Sequence, residues 1–407
     1  MNFTLAEALQ VAPLNRCKVV AGNKGLVNRI HSVNSFDAPD VMPWLKQGEL
    51  VFTTGYVIKN DPAAQVELVC EMAKRQCAGL AIQMKRFMPE LPKAMLKAAN
   101  EWNLPLIEIP NDLSLPDLLL SFMRELMTHE KKHKEQEKKN VFLSRLLHGE
   151  LHGKDAILAQ GREFGMMPEC GYICLFVSFS SSVLDNQRNM PIDRLLKMIN
   201  LPNKNTNIFW LTIGLDKSTI ILQSTEHQKK DDLHSLALQL ARNLVESCPK
   251  QPMSCEYLTI GIGTGYNDVQ KISTSFQQAR NAVNIGCRLN PSASEHKIYD
   301  YVDIESYAIL QHVPTDLLSH CLSHTLAPLL QYDKENQADL IKTLEVYLSC
   351  CGRSSEAARI LGVHRNTIHF RIDRIKDLLG KELNDGETVF RLQMALRIYR
   401  LSTVPSQ

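Results

Sequence analysis

Long hydrophobic runs are missing from this sequence. No apolar stretch approaches the roughly 18 residues that a membrane-spanning helix needs. The first ten residues, MNFTLAEALQ, also lack the basic segment and the continuous apolar segment of an export signal. We therefore expect a soluble, cytoplasmic protein with no membrane partner.

Cys-x-x-Cys pairs and complete metal-ligand sets are missing as well. The eleven cysteines are scattered along 407 residues, and none forms a Cys-x-x-Cys pair. His320 and His324 lie four residues apart beside Cys321, and His148 and His152 repeat that spacing, but the sequence places no third ligand. We predict reduced thiols, no metal and no cofactor.

Catalytic motifs are absent too. No Ser/His/Asp or Cys/His arrangement has motif support, and GIGTG at Gly261–Gly265 is not followed by the Gly-Lys-Ser/Thr of a phosphate loop. We interpret GIGTG as a turn at the end of a strand. The sequence therefore predicts no catalytic residues.

The length of the chain exceeds what one hydrophobic core usually organises, which predicts two to four domains. Residues 1–120 alternate the strand candidates GELVFTTG, AGLAIQM and LPLIEIP with helices predicted at Gln65–Gln76 and Pro92–Trp102. Strands separated by such helices predict an α/β domain with a mainly parallel sheet.

A long charged helix is predicted from Leu119 to Leu147, and residues 121–165 are predicted to form a helical connector. Residues at alternating three- and four-residue steps form a heptad seam that is apolar at both ends and polar in the middle. These residues are Leu119, Phe122, Leu126, His129, His133, Gln136, Asn140, Leu143 and Leu147. The charged run EKKHKEQEKK is either a solvated helix face or the centre of a connector that pairs across a dimer.

A second α/β domain is predicted at residues 166–303. Its strand candidates are YICLFVSF, IFWLTIGL, STIILQ, YLTIGIG and HKIYDY, and its helices are predicted at Met190–Ile199, Asp231–Val245 and Asp268–Gly286. This order predicts a ferredoxin-like sheet. Residues 304–335 are predicted to form a helical linker, and residues 336–407 an all-helical domain.

The segment SSEAARILGVHRNTIHFRIDRIKDLLG has the features of a helix-turn-helix. Ser354 or Ser355 is predicted to cap the first helix, and Gly362 is predicted to end it. The second helix is predicted to bury an apolar face of residues spaced four, three and four apart, which are Ile368, Ile372, Ile375 and Leu379.

In such a unit the first turn of the second helix enters the major groove of DNA. Base edges are assigned to Arg365, Asn366, Thr367 and His369, with Phe370 on the same outward face. Phosphates are assigned to Arg353, Arg371, Arg374 and Lys376. Ten Lys and Arg residues against six Asp and Glu residues in Arg353–Arg400 favour a polyanion partner. The alternative is a helical hairpin with solvated arginines.

The segment AARILGVHRNTIHFRIDRIKDLLG, followed by VFRLQMALRIYRL, resembles the C-terminal helix-turn-helix of the PucR and CdaR regulators. The stretch SFDAPDVMPWLKQGELVFTTGY is similar to the sensory domain of PucR-type regulators, and TIGIGTGYNDVQKISTSFQQARNAV to their degenerate GGDEF-like domain. The resemblance implies a metabolite-responsive regulator of purine, amino-acid or related nitrogen catabolism.

A diguanylate cyclase needs a Gly-Gly-Asp/Glu-Glu-Phe turn, and this sequence has none. We therefore expect the middle domain to be structural; the rival interpretation is a nucleotide cyclase with an accessory helical tail. A homodimer or tetramer on double-stranded DNA is expected, because one recognition helix reads few base pairs.

A small-molecule effector is predicted to bind the first domain, because ligands of α/β sheets bind beyond the carboxyl ends of strands. The candidate residues flank one strand in two loops: Asp37, Trp44, Glu49, Thr53, Thr54 and Gly55. The alternative is a purely structural turn.

Overall fold

The computed structural model describes residues 3–36, 42–84, 87–181, 206–213, 217–224, 230–247, 256–290 and 297–403. The chain divides into two compact units, Met1–Asn140 and Val141–Gln407. Asp37 and the helix predicted at Met190–Ile199 lie outside the described residues.

The first unit contains a five-stranded sheet in the order β1-β5-β4-β3-β2. Its strands are β1 (Lys18–Ala21), β2 (Ser32–Ser35), β3 (Glu49–Thr53), β4 (Gly79–Gln83) and β5 (Leu106–Ile109). Strands β2 to β5 run parallel, and β1 is antiparallel to β5. The predicted mainly parallel sheet is thus confirmed, and every residue of β3 and β4 is buried, as helices on both faces require.

Helices cover both faces of this sheet. They are α1 (Leu5–Ala8), α2 (Pro62–Lys74), α3 (Lys93–Trp102) and the start of α4 (Leu115–Leu147). Helices α2 and α3 share one core with Val51, Leu80 and Ile82. The other face, which includes Leu50 and Phe52, packs against α1 and the beginning of α4.

Helix α4 is 33 residues long, as the heptad pattern predicted, but its apolar ends are already occupied. Leu119, Phe122 and Leu126 pack in the first unit, whereas Leu143 and Leu147 lie in a core of the second. Residues 130–138 between these ends are exposed. The apolar residues of the seam therefore belong to the cores of the two units. A substitution of Leu143 by a charged residue would disrupt the core of the second unit, so it could not serve as a test of pairing between two copies of the chain.

The second unit begins with a sheet in the order β10-β9-β6-β8-β7. Its strands are β6 (Gly171–Ser181), β7 (Thr206–Ile213), β8 (Lys217–Ser224), β9 (Glu256–Ile262) and β10 (Lys297–Asp300). Neighbouring strands are antiparallel except β10 with β9. The arrangement of β9, β6, β8 and β7 is the predicted ferredoxin-like one, and β10 extends it by one strand.

The helices of this part are α5 (Lys154–Gly161), α6 (Lys230–Ser247) and α7 (Ile272–Leu289). Alternation along β6 sends Ile173, Leu175 and Val177 to the face that packs against α6. Cys174 and Phe176 point to the opposite face, which packs against α7 and the end of α4.

From Tyr301 onward the described residues are helical. The helices are α8 (Tyr301–Leu310), α9 (Thr315–Thr325), α10 (Ala327–Asn336), α11 (Leu340–Ser349), α12 (Ser354–Leu361), α13 (Arg365–Leu379) and α14 (Gly386–Thr403). Helices α10 to α14 share one apolar core.

Among the described residues, no helix has both the length and the hydrophobicity needed to cross a bilayer, and no cluster of three His, Cys, Asp or Glu side chains could hold a metal ion. Burial raises the pKa of the Cys77 thiol to about 11 and that of Cys174 to about 12. Both thiols are therefore protonated at neutral pH.

The glycines of GIGTG allow α7 to approach strand β9 closely. A Cβ on Gly261 would lie 2.0 Å from the carbonyl oxygen of Ala279, and one on Gly263 would lie 2.1 Å from that of Ser275. A Cβ on Gly265, by contrast, would be 3.6 Å from the nearest atom, which is ordinary contact.

We expect Gly261→Ala to destabilise the second unit by about 2 kcal/mol or more, because packed backbone must move to admit the methyl group. Gly265→Ala is the matched control and should unfold at nearly the wild-type temperature. Thermal unfolding followed by circular dichroism measures both variants. Equal unfolding temperatures for the two variants would contradict the close approach.

Candidate nucleic-acid interface

The candidate interface is built on α12, a glycine turn and α13. Ala357 and Ala358 of α12 are buried, and α12 ends at Gly362, which has a φ of +66°. That left-handed conformation favours glycine, as predicted. The predicted serine cap is wrong: Arg353 occupies the N-cap without a side-chain cap hydrogen bond, and Ser354 is the first helical residue.

Helix α13 begins with a cap that the sequence did not predict. His364 is the N-cap residue, and its Nδ1 accepts a hydrogen bond from the backbone N–H of Asn366 at 3.2 Å. Histidine is not among the preferred N-cap residues, so sequence rules give no signal for it. The cap fixes the start of the helix where the predicted base-reading residues lie.

One face of α13 is buried and holds the helix in place. Ile368, Ile372 and Ile375 are buried in the helical core, and Leu379 packs against it. This is the face that the spacing predicted. Since a helix has only one such face here, the side chains opposite to it are turned outward.

The outward face carries the predicted base-reading side chains. Arg365, Asn366 and His369 are exposed, and Thr367 is half-buried. Phe370 is 73% exposed, which is unusual for a large apolar side chain. Arg365 donates from Nε to Nε2 of His369 at 3.2 Å, so these two side chains stand side by side one helical turn apart.

The structure places two of the four predicted phosphate-binding residues in internal contacts. Arg371 donates from Nη1 to the Thr343 hydroxyl oxygen at 3.0 Å. The guanidinium of Arg374 lies 4.8 Å from the centre of the Tyr332 ring. Both side chains thus help to attach α13 to its own domain.

The other two residues form ion pairs at the surface, and the Lys376 side chain is itself only 29% exposed. Arg353 pairs with Glu356 at 3.1 Å, and Lys376 pairs with Glu382 at 2.8 Å. The Glu382 hydrogen bond raises the pKa of Lys376. Arg359 and Lys381, which sequence reasoning did not select, are also exposed. In the sequence, Arg359 lies shortly before the turn at Gly362 and Lys381 directly follows Gly380, and these positions at helix ends were the signal that could have identified both residues.

The predicted effector residues do not come together in one place. Thr53 and Thr54 are buried at the carboxyl end of β3, where the Gly55 N–H donates to the Thr53 hydroxyl at 3.0 Å. Glu49 is buried at the amino end of the same strand, and its carboxylate accepts from the Lys46 N–H at 3.2 Å. Four residue steps along a strand span about 13 Å.

Trp44 lies in a short turn before β3 and is 72% exposed. Trp44 therefore precedes the amino end of β3, whereas Thr53 lies at the carboxyl end. The predicted residues around β3 mark two ends of one strand instead of a single pocket.

Three family models match successive parts of the chain. The purine catabolism regulatory protein-like family matches residues 7–126, a GGDEF-like domain residues 148–285, and the PucR C-terminal helix-turn-helix domain residues 340–398. The last match contains α12, the Gly362 turn and α13.

Three curated relatives match between half and nearly all of the chain. The chain is 22% identical to the purine catabolism regulatory protein of Bacillus subtilis (strain 168), across 98% of this chain and 100% of the relative. It is also 22% identical to the DNA-binding transcriptional activator AdeR of the same organism, across 72% of this chain and 68% of the relative. The proline-responsive transcriptional activator PutR of that organism is 26% identical, across 51% of this chain and 49% of the relative.

The internal contact of Arg371 makes a testable prediction. Arg371→Ala should lower the free energy of unfolding of the helical domain by about 1.5–3 kcal/mol, the range for hydrogen bonds to charged groups. The exposed Arg359→Ala is the control and should leave that free energy within about 0.5 kcal/mol of wild type. Urea unfolding measures both, and an unaffected Arg371→Ala variant would show that the contact adds nothing to stability.

Proposed function

Because the chain belongs to the PucR-type family of transcriptional regulators, we propose that Arg365, Asn366, Thr367 and His369 read base edges in the major groove of double-stranded DNA. The observation that carries this proposal is the two-sided character of α13. One face is buried by isoleucines, and the first turn opposite to it is polar and exposed.

The chemistry of that first turn suits base recognition. An arginine can donate two hydrogen bonds to O6 and N7 of guanine, and an asparagine can pair with N6 and N7 of adenine. The Arg365 contact with His369 orients the guanidinium before DNA binds, which reduces the conformational entropy lost on binding. Phe370, exposed on the same face, supplies an apolar surface of the kind that meets thymine methyl groups.

We assign phosphate contacts to cations at the surface of the helix-turn-helix. Arg353 and the half-buried Lys376 are in surface ion pairs of low net stability, so a phosphate can replace the glutamate partner. Arg359 and Lys381 extend the same set. Arg371 and Arg374, which were predicted to bind phosphates, act chiefly as internal supports in this proposal. Such binding weakens steeply as salt rises.

The controlled genes belong, in this proposal, to a catabolic pathway for purines, amino acids or related nitrogen compounds. The names of the relatives refer to purine catabolism and to a proline response. A small-molecule effector would bind in the first unit at the carboxyl edge of its sheet, where Thr53, Thr54 and Gly55 lie. We propose a cytoplasmic location as well, because bacterial DNA, the proposed partner, is found there.

The middle domain has a transmitting rather than a catalytic role in this proposal. The chain lacks the Gly-Gly-Asp/Glu-Glu-Phe turn that a cyclase needs to hold its metal and nucleotide. The five segments 1–120, 121–165, 166–303, 304–335 and 336–407 then act as sensor, connector, middle domain, linker and DNA reader.

We also propose that the protein acts as a homodimer or tetramer, because two recognition helices are needed to read two half-sites. The cores already use the predicted seam of α4, so pairing needs another surface. Leu120, Met123 and Met127 are each at least half exposed, at 50%, 51% and 68%, and recur at a three- and a four-residue step. We assign this stripe to a second copy of the chain.

Asn366→Ala should cost about 1–3 kcal/mol of binding free energy at the specific operator, because one bidentate base contact is lost. Binding to unrelated DNA should stay nearly unchanged. Asn336→Ala is the matched control, since that exposed amide binds its own helix through the Tyr332 carbonyl oxygen. Gel shifts on the DNA upstream of the gene measure both, and equal weakening of Asn366→Ala on every sequence would contradict base recognition.

The dimer surface has a separate test in light scattering. Met123→Glu with Met127→Glu should reduce the solution mass of a wild-type dimer to that of a monomer, because four glutamates would face one another across the pair. Val27→Glu places a single negative charge on another exposed apolar residue of the first unit, and it should keep the wild-type mass. A monomeric wild type would contradict the dimer, and an unchanged mass in the double variant would contradict this surface.

A further inference from the structure

A cavity of about 510 Å³ lies at the carboxyl edge of the sheet in the first unit. Ser35 ends strand β2 and Gln83 ends strand β4, and both side chains line it. The remaining lining comes from residues 111–114 and from the first turns of α4 at Leu115, Pro116 and Leu119. Strand β3, which ends at Thr53, lies between β2 and β4.

We propose that this cavity is the effector site and that its ligand is a small neutral molecule carrying an amide group. The inference rests on the proposed function, in that it assumes a metabolite-responsive regulator. It keeps the ligand at the carboxyl edge of the sheet, where Thr53 ends β3, but assigns the ligand contacts to the residues that line this cavity.

Gln83 is the first reason for an amide-bearing ligand. The residue is 5% exposed, and its amide nitrogen donates to the Leu113 carbonyl oxygen at 2.8 Å. Among the described residues no donor binds the Gln83 amide oxygen, so an acceptor in the cavity wall is left for a ligand N–H. Because the hydrogen bond to Leu113 holds the amide nitrogen in place, it also fixes the direction in which the Gln83 amide oxygen points.

The rest of the lining has the same chemistry. Asn111 adds a second carboxamide, and Ser35 and Ser114 add hydroxyl groups that can donate or accept. Leu113, Leu115 and Leu119 supply apolar walls, as small-molecule pockets usually have. Carboxamides pair well with the adjacent N–H and C=O of another amide.

Charge in the described lining is limited to a carboxylate that already has a partner. Asp112 forms an ion pair with Arg16, and this hydrogen bond holds the pKa of Asp112 below its usual value. A neighbouring cavity of about 620 Å³ is different, because Arg16, Lys18, Glu108 and Asp112 all line it. That second cavity would suit a zwitterion, which gives the experiment its alternative ligand.

Contact with α4 favours the first cavity over its neighbours. Leu115 and Leu119 line the cavity and also pack in the apolar core under the sheet. A ligand there touches the sheet edge and the beginning of the helix that continues to Leu147 in the second unit. Differential contact with that helix is what a ligand needs to shift a conformational equilibrium. The cavity of about 490 Å³ that Gln47 and Gln76 line has no residue of α4 in its described lining.

The test is titration calorimetry on the full chain with uracil and hypoxanthine as neutral cyclic amides and L-proline as a zwitterion. We expect an amide probe to bind, Gln83→Met to weaken it at least tenfold, and Asn111→Ala to weaken it less. Gln47→Met, the same change at an exposed amide that lines the other cavity, should bind as wild type does.

Several results would overturn the proposal: binding of proline alone, no binding of either amide, or a loss of affinity in Gln47→Met instead of Gln83→Met. Asn111 is exposed, so its variant keeps the test valid if Gln83→Met unfolds. Gel shifts without ligand on the same variants separate this proposal from the regulator function, because a misplaced effector site leaves DNA binding intact.

Discussion

The burial of one face of α13 is the constraint on which the candidate interface depends. Ile368, Ile372 and Ile375 can be removed from water in only one orientation of the helix, and the turn at Gly362 fixes where the helix begins. Arg365, Asn366 and His369 are exposed as a consequence. Hydrophobic burial of three isoleucines, at about 1.5–3 kcal/mol each, thus positions polar groups that add little stability themselves.

The cations considered for phosphate binding fall into two groups that differ in whether their side chains make contacts within the helical domain. Arg371 and Arg374 are attached to Thr343 and Tyr332 and support the fold. Arg353 and Lys376 form ion pairs with glutamates at the surface, and the Arg359 side chain is exposed. A count of Lys and Arg residues over this segment therefore overstates the positive charge at the surface, because Arg371 and Arg374 make contacts within the domain.

Periodic patterns made most of the fold predictable. The parallel sheet, the hairpin strands, α4 and the buried face of α13 all follow from regular spacing of apolar residues, which is a local property of the chain. Strands β1 and β2 were missed because each has four residues and is only partly buried. The His364 cap and the contacts of Arg371 depend on which helices meet in space, and no local pattern encodes that.

The residues predicted to bind the effector do not form one group, for a geometric reason that the sequence already contained. Glu49 and Thr53 lie four residues apart on one extended strand, so they could not share a small pocket. The cavity beyond β2 and β4 joins Ser35, Gln83 and the 111–114 loop, which are far apart in sequence. Only the order of strands in the sheet brings such residues together.

Methylation of DNA by dimethyl sulfate tests the central claim most directly, since it modifies guanine N7 in the major groove and adenine N3 in the minor groove. The account predicts that the bound protein protects guanine N7 in two clusters, centred about 10 base pairs or a multiple of that apart. Protection of adenine N3 alone, with guanine N7 still reactive throughout the bound site, would contradict it.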